Sequence, residues 1–181
     1  APIGARVAVI GAGGIGFDVC EFLSTELPSP TLEPQRWLDE WGVDLDYRSG
    51  SGLKPAQPEP SPREIWMLQR SGGKPGARLN KTTGWVHRAA LKAKGVRMLG
   101  GVEYERIDDE GLHIRVDGEA RALAVDTVVL CAGQEPENRL HAELKALGID
   151  AALIGGARLA TEVDAKRAIE EGVRAAMALP D

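Results

Sequence analysis

Residues 6–23 decide the fold: they read RVAVI at 6–10, GAGGIG at 11–16 and FDVCEFL at 17–23. Val7, Val9 and Ile10 make the first segment rich in β-branched residues, which is typical of a buried parallel strand. The next six residues form the pattern G-x-G-x-x-G, and the seven after them carry apolar residues at helical spacing. The stretch therefore predicts a strand, a tight turn and a helix, which is the first βα unit of a dinucleotide-binding fold.

Each glycine of this turn meets a steric demand. Gly11 lets the chain turn sharply after the strand, Gly13 lets the backbone approach a pyrophosphate, and Gly16 lets helix and strand pack closely. The anion then lies against the unpaired N–H groups and the positive dipole end of the helix. We therefore count Gly11, Gly13, Gly14, Ile15 and Gly16 as candidate cofactor-binding residues. A strand-to-helix turn without a ligand is the alternative.

Length and composition are those of a water-soluble domain. The 181 residues are 43% hydrophobic, which is enough for a core of ordinary size. No apolar run approaches the roughly 20 residues that span a bilayer, and no basic segment followed by an apolar run indicates a signal peptide. We expect a soluble, cytoplasmic protein with no membrane partner. Because the chain begins at Ala1 and not at Met, we also expect it to be a piece of a larger protein.

Other chemistries find no support in the sequence. The two cysteines, Cys20 and Cys131, lie far apart, are too few for an iron–sulfur cluster and are expected to be buried thiols. His87, His113 and His141 lack the spacing of a metal site, so no metal is predicted. There is no G-x-S-x-G, no Walker loop and no basic patch interleaved with aromatic residues. We therefore predict no catalytic residue and no nucleic-acid partner.

A basic stretch lies within an acidic chain. Residues 65–102 contain eight Lys and Arg and no Asp or Glu. Outside this stretch, the other 14 of the 22 basic residues face all 27 acids, which is a balance of −13. The sequence therefore predicts that this part of the chain meets an anion.

Residues 27–63 interrupt the fold pattern. Prolines break any helix there, a short amphipathic piece contains Trp37 and Trp41, and residues 50–62 have the composition of a loop. The next credible strand is 65–69. We therefore predict an insertion at 27–63, in which the tryptophans either pin the segment to the domain or contact a partner domain.

The second strand ends at Gln69 and Arg70, and this position distinguishes two cofactors. A carboxylate there would accept hydrogen bonds from two ribose hydroxyls, whereas a guanidinium can bind a phosphate with two hydrogen bonds. Arg70 is followed by Lys74, Arg78 and Lys81 on a glycine-rich loop. This set favours the 2′-phosphate of NADP(H) over NAD(H). A solvated basic loop is the alternative.

The remaining pattern completes the sheet. Thr82 or Thr83 is expected to cap a helix that runs to about Ala93, on which Arg88 lies nearest the basic loop. A third parallel strand follows, then three short antiparallel strands, and then a parallel strand whose end at Gly133 lies where open α/β sheets bind ligands. The predicted ranges are strands at 96–99, 102–107, 112–116, 120–124 and 127–131, a helix at 138–147, and a closing strand and helix within 151–179. The fold class is α/β, a Rossmann-like doubly wound parallel sheet with an antiparallel β-meander crossover.

Several of these segments together resemble one enzyme family. The stretch KTTGWVHR at 81–88 and the turn CAGQEP at 131–136 are far more specific than nucleotide-binding glycines. With residues 11–18, 40–42, 61–63, 67–70, 74–76 and 107–113, they make the chain similar to the C-terminal region of bacterial NADPH-dependent 2,4-dienoyl-CoA reductases, the type with FMN, FAD and an iron–sulfur cluster. The resemblance runs nearly from end to end.

The resemblance implies a larger enzyme of three parts. In that family an N-terminal TIM barrel holds FMN and a 4Fe-4S cluster and reduces the dienoyl thioester. A C-terminal pair of dinucleotide domains, of the two-dinucleotide-binding flavoprotein type, binds FAD and NADPH. Residues 1–149 would be the NADPH-binding domain, and residues 150–181 would be the return segment of the FAD domain. The implied partners are thus NADPH, the FAD domain and the barrel.

The resemblance also assigns roles to residues. The glycines of 11–16 would hold the pyrophosphate, and Arg70 with its basic neighbours would hold the 2′-phosphate. Gly133 and Gln134 would lie near the nicotinamide. Gly155 and Gly156 match the motif whose backbone meets FAD, where many relatives have Gly-Asp. Because the first half of the FAD fold is missing, we expect no stable FAD binding and no activity from this piece alone.

Two further readings stay open. The chain could belong to another old-yellow-enzyme-type NAD(P)H:flavin oxidoreductase, since substrate choice lies in the barrel. It could also be a standalone nucleotide-binding module without catalysis. If residues 150–181 are the return segment of an FAD domain, the apolar residues Ile169, Val173 and Met177 of the last helix would lack their usual partner.

Overall fold

The computed structural model of the chain describes residues 2–161 and 164–179. It divides into two compact units, Ala1–Ala132 and Gly133–Asp181. The predicted domain boundary at 149–150 rests on the resemblance and stays a prediction. Across the described residues, no helix has both the length and the apolar character that a membrane crossing requires.

The first unit contains the predicted α/β elements. In chain order they are β1 (Arg6–Ile10), α1 (Gly14–Leu23), α2 (Pro34–Trp41), β2 (Glu64–Leu68), α3 (Gly84–Ala93), β3 (Arg97–Leu99), β4 (Glu103–Asp108), β5 (Gly111–Val116), β6 (Glu119–Leu123) and β7 (Thr127–Leu130). Short 3-10 turns lie at Pro30–Leu32 and Gly50–Gly52. The predicted fold class is confirmed.

Four strands form a parallel sheet in the order β3-β2-β1-β7. The register aligns Ile10 with Leu68 on one side and with Leu130 on the other. The chain therefore leaves β1 toward β2 and β3 and returns on the opposite side as β7. Such a reversal of strand order creates a crevice at the carboxyl ends of the strands, where open α/β sheets bind ligands.

The two faces of this sheet bury different partners. Phe17 and Cys20 of α1 and Leu91 of α3 pack on one face, against alternate strand residues such as Val9 and Met67. The antiparallel sheet of β4, β5 and β6 covers the other face, with Leu112, Ile114 and Leu123 against Ala8, Ile10 and Leu68. Successive strand residues point to opposite faces, so strands covered on both sides must be apolar throughout. This explains the run from Val7 to Ile10.

The insertion is fastened to the domain by polar and aromatic contacts. Lys94 at the end of α3 forms an ion pair with Glu40 of α2 at 3.1 Å, and both side chains are almost fully buried. Trp41 lines the same narrow cavity as Leu91 and Lys94. Arg36 pairs with Glu59 within the insertion. Trp41 therefore borders the domain as the first interpretation expects, whereas Trp37 is exposed.

The described residues of the second unit, 133–161 and 164–179, form helices and irregular segments and no strand. It contains α4 (Arg139–Ala146), α5 (Gly155–Arg158) and α6 (Ala165–Met177). The closing strand predicted near 151–154 is wrong: these residues are irregular and lead directly into α5. A strand needs a neighbouring strand for its backbone hydrogen bonds, and this unit offers none among the residues described. The apolar residues Ile169, Val173 and Met177 of α6 are exposed.

Candidate functional site

The glycine turn, residues 11–16, joins β1 to α1 in a conformation that only glycine tolerates at its start. Gly11 has φ +119°, and its N–H donates to Leu68 O at 2.8 Å. A Cβ at this position would lie 2.4 Å from the carbonyl oxygen of Cys131. The backbone of the turn is thus fixed between the ends of β2 and β7.

Gly16 brings α1 directly onto this turn. A Cβ on Gly16 would lie 1.9 Å from the carbonyl oxygen of Gly11. Real Cβ atoms never approach oxygen so closely, and both partners here are backbone. The close packing expected of Gly16 is therefore present, and it fixes where the first turn of α1 begins.

Gly13 and Gly14, by contrast, border open space. A Cβ on either residue would meet nothing within 4 Å among the described residues. The first hydrogen bond within α1 runs from Phe17 N–H to Gly13 O at 3.1 Å, so the N–H groups of Gly14, Ile15 and Gly16 precede the helical ladder. No acidic residue lies in the first turn. This arrangement of free donors, dipole and clear approach fits a phosphate group.

The end of β2 lies beside the glycine turn. Gln69 N–H donates to Leu99 O, and the Gln69 carboxamide donates to Ser71 O at 2.9 Å, so this side chain shapes the following loop. Arg70 is exposed. Burial raises the pKa of Tyr104 on β4, and the nearby positive charge of Arg70 opposes that rise. Arg70 is therefore placed beside the meander as well as at the strand end.

The basic loop, residues 70–83, continues from there and carries Lys74, Arg78 and Lys81, all exposed. Pro75 and Gly76 are its buried residues, and Gly76 has φ +73°. A Cβ on Gly76 would lie 2.6 Å from the buried Phe17 ring. The loop therefore returns from the strand ends to pack on α1.

Side chains complete the shape of the basic loop. The Asn80 carboxamide oxygen accepts from both the N–H and the hydroxyl of Thr82. Thr83 takes the N-cap position of α3, as expected, but its side chain makes no capping hydrogen bond. Asn80 supplies the polar contact at this helix start instead.

Arg88 contacts the loop and does not extend freely into solvent. Its Nη1 donates to Gly76 O at 2.8 Å. Arg88 and Lys74 also line a pocket of about 480 Å³ with Lys92, Trp85 and Met98. The structure thus brings two of the predicted cations to one pocket, Lys74 from the basic loop and Arg88 from α3. No local pattern predicts the Arg88–Gly76 contact, because this contact depends on how the loop folds back.

The end of β7 closes the other side of the glycine turn. Cys131 N–H donates to Ile10 O at 2.7 Å. Burial raises the pKa of the Cys131 thiol, and that of Cys20 to about 12, so both stay protonated at neutral pH. Gly133, with φ +81°, and Gln134 begin the second unit.

The predicted FAD-facing glycines open α5 in the second unit. Gly155 has φ +59°, and its N–H donates to a carboxylate oxygen of Glu171 at 2.6 Å. Glu171 also pairs with Arg158, and these contacts lower the pKa of Glu171 to about 2. The Gly155 N–H is thus already used within the unit. Gly156 follows it in the helix.

One cluster of possible metal ligands lies on the meander, where no site was predicted. Single ligand atoms of Asp108, Glu110 and His113 lie within 4.8 Å of one another. Asp108 accepts from His113 Nε2 and from Arg106 Nε, each at 2.8 Å. These two hydrogen bonds, with Arg106 first, lower the pKa of Asp108 to about 2. The hydrogen bond between His113 and Asp108 therefore joins β5 to β4 across their hairpin.

Comparisons with known proteins agree with this architecture. A family model described as pyridine nucleotide-disulphide oxidoreductase matches residues 1–164. A 2-naphthoyl-CoA reductase complexed with 2-naphthoyl-CoA has a similar structure, with TM-score 0.66 and 18% identity over 100% of this chain and 22% of its own. Histamine dehydrogenase from Rhizobium sp. 4-9 gives TM-score 0.61 and 16% identity, over 99% of this chain and 24% of its own. The chain thus spans about a quarter or less of the length of these structures, and the likeness concerns the fold.

Proposed function

The chain belongs to the pyridine nucleotide-disulphide oxidoreductase family, and we propose that it is the NADPH-binding portion of a 2,4-dienoyl-CoA reductase. Membership of this family implies use of a nicotinamide nucleotide together with a flavin. The finer assignment adds NADPH, FAD as the hydride acceptor, and a dienoyl thioester in unsaturated fatty acid β-oxidation as the final substrate. FMN and the 4Fe-4S cluster would belong to a barrel outside this chain, and a cytoplasmic location stays a prediction.

The observation that carries the proposal is the pairing of an open glycine turn with a basic strand end. The N–H groups at 14–16 would hold the pyrophosphate, since no Cβ at Gly13 or Gly14 closes the approach. Arg70, with Lys74, Arg78 and Lys81, would hold the 2′-phosphate. Residues 65–102 contain no Asp or Glu. Bound NADPH would supply a hydride, and Gly133 and Gln134 are proposed to lie near its nicotinamide.

Titration of the chain with NADP(H) and NAD(H) tests the cofactor. We expect tighter binding of the phosphorylated nucleotide, and we expect Arg70→Ala to remove about 1.5 to 3 kcal/mol of that preference, the usual value of a charge-assisted hydrogen bond. Arg97→Ala is the matched control, because Arg97 begins β3 and pairs with Glu64 at the opposite end of the strands. Equal affinities of the unaltered chain for both nucleotides would refute the proposal.

The substrate needs a separate experiment, because the choice of substrate would lie outside these residues. A longer protein that contains this chain should oxidise NADPH when a 2,4-dienoyl-CoA is supplied. Activity with a different unsaturated carbonyl compound alone would favour another old-yellow-enzyme-type oxidoreductase. Nucleotide binding without reduction of an added flavin or substrate would favour a standalone binding module.

A further inference from the structure

We infer that Arg88 is a positioning residue that sets the preference for NADP(H) by holding the basic loop, and that it does not itself bind the 2′-phosphate. The inference rests on the proposed function, because it assigns the loop cations to that phosphate. Its own basis is the contact between the Arg88 guanidinium and a loop carbonyl.

Arg88 reaches the loop at its most constrained residue. Gly76 is buried, has φ +73° and faces the Phe17 ring so closely that no Cβ fits. Its carbonyl oxygen accepts from Arg88 Nη1 at 2.8 Å. A charged donor makes a stronger hydrogen bond to a carbonyl than a neutral donor does. The loop is therefore fixed at Gly76 from two directions, by α1 and by α3.

The hydrogen bonds around Gly76 extend this restraint to the loop cations. Ala77 N–H donates to Lys74 O at 3.1 Å, and Leu79 N–H donates to Gly76 O at 3.2 Å. These two short turns bracket Gly76, with Lys74 before it and Arg78 within the second turn. Any movement of Gly76 would displace both cations together.

Restraint matters here because the loop concentrates like charges. Lys74, Arg78 and Lys81 lie within eight residues, and no acid lies among them. Like charges so close together in the chain repel one another. A loop held in place before the ligand arrives loses less entropy on binding, so it binds more tightly. By this route Arg88 would raise affinity for the phosphorylated nucleotide without touching it.

Lys92 provides a matched control on the same helix. It lies one turn after Arg88 and lines the same pocket, yet its side chain makes no hydrogen bond or ion pair with the described residues. Lys92→Ala removes one positive charge from α3 and leaves the loop contact intact. Arg88→Lys keeps the positive charge and a group that can donate a hydrogen bond, and Arg88→Ala removes both.

The experiment measures two properties of the 181-residue chain and its variants. Hydrogen exchange of the Ala77 and Leu79 amides, without nucleotide, reports the restraint of the loop. Calorimetric titration with NADP⁺ and NAD⁺ reports the preference. For Arg88→Ala we expect exchange at both amides to rise about tenfold and NADP⁺ affinity to fall about fivefold to tenfold, with NAD⁺ affinity nearly unchanged. Arg88→Lys should recover part of both effects, and Lys92→Ala should change neither by more than about twofold.

The outcomes separate the inference from the proposed function. Weaker NADP⁺ binding by Arg88→Ala with unchanged exchange would mean that Arg88 contacts the ligand directly, which overturns the inference alone. Faster exchange with unchanged NADP⁺ affinity would overturn it as well, because the loop would then not matter for binding. Equal binding of NADP⁺ and NAD⁺ by the unaltered chain would overturn the proposed function and this inference together.

Discussion

The glycine turn at 11–16 and the basic loop at 70–83 follow the neighbouring strands β1 and β2, yet different atoms hold them in place. At Gly11 and Gly16 the constraints are backbone atoms of Cys131 and Gly11, which no side-chain rotation can relieve. Along the basic loop the constraints are the Phe17 ring, the Asn80 carboxamide and the Arg88 guanidinium.

This difference separates stability from binding. A substitution at a backbone contact forces strands or helices apart, so it should lower the free energy of unfolding. A substitution at an exposed loop cation leaves the core intact and should alter ligand affinity alone.

Gly16→Ala should have the largest effect. Its Cβ would lie 1.9 Å from Gly11 O, and we expect the free energy of unfolding, measured with urea, to fall by about 3 kcal/mol. Gly13→Ala is the control in the same turn, since its Cβ meets nothing within 4 Å. It should lower stability by less than about 1 kcal/mol, while still weakening NADP⁺ binding by filling the approach. Similar losses of stability in both variants would remove the distinction between the two glycines.

Gly76→Ala should have an intermediate effect, because the basic loop meets the core closely at Gly76. Its φ of +73° and the Phe17 ring at 2.6 Å from a built Cβ lead us to expect a loss of about 2 kcal/mol. Gly73→Ala separates the two causes. Gly73 has φ +85° but open space around it. Gly73→Ala should therefore lower the free energy of unfolding by only about 1 kcal/mol, through backbone strain alone. If thermal or urea unfolding ranks Gly73→Ala as the more damaging change, the Phe17 contact is not the constraint described above.

Acid should act least on the two regions compared and should weaken the meander. Neither 11–16 nor 70–83 contains a carboxyl group. Hydrogen bonds from Arg106 and His113 lower the pKa of Asp108 to about 2, from an ordinary value of 3.8. Because the folded pKa is the lower one, this stabilisation is complete above about pH 4 and is lost as the pH falls toward 2.

Urea unfolding at about pH 5 and about pH 3 measures this dependence. Asp108→Asn should reduce the loss of stability between the two pH values. The neighbouring Asp109→Asn should not, because Asp109 lacks the hydrogen bonds to Arg106 and His113. An identical pH dependence in the unaltered chain and in Asp108→Asn would show that the hydrogen bonds of Asp108 do not stabilise the fold.

Local patterns were enough to predict most of the first unit. Each of the following depends on neighbours in sequence: the run at 6–10, the glycines at 11–16, and the turns of the meander at 109–111 and 117–118. All the corresponding elements are present. The strand predicted near 151–154 is absent, because a strand depends on partners that are distant in sequence. A strand exists only where another strand offers hydrogen bonds, and no strand accompanies it among the described residues of its unit.

The amino-acid sequence determined the order of strands and helices, the tight turn after β1 and the excess of positive charge after β2, because each follows from steric limits or composition over a few adjacent residues. Only the tertiary structure decided that Cys131 closes the glycine turn, that Gly76 rests on Phe17 and that Arg88 holds a carbonyl twelve residues earlier. Those contacts join segments that become neighbours only when the sheet and its helices pack, and so no local pattern encodes them.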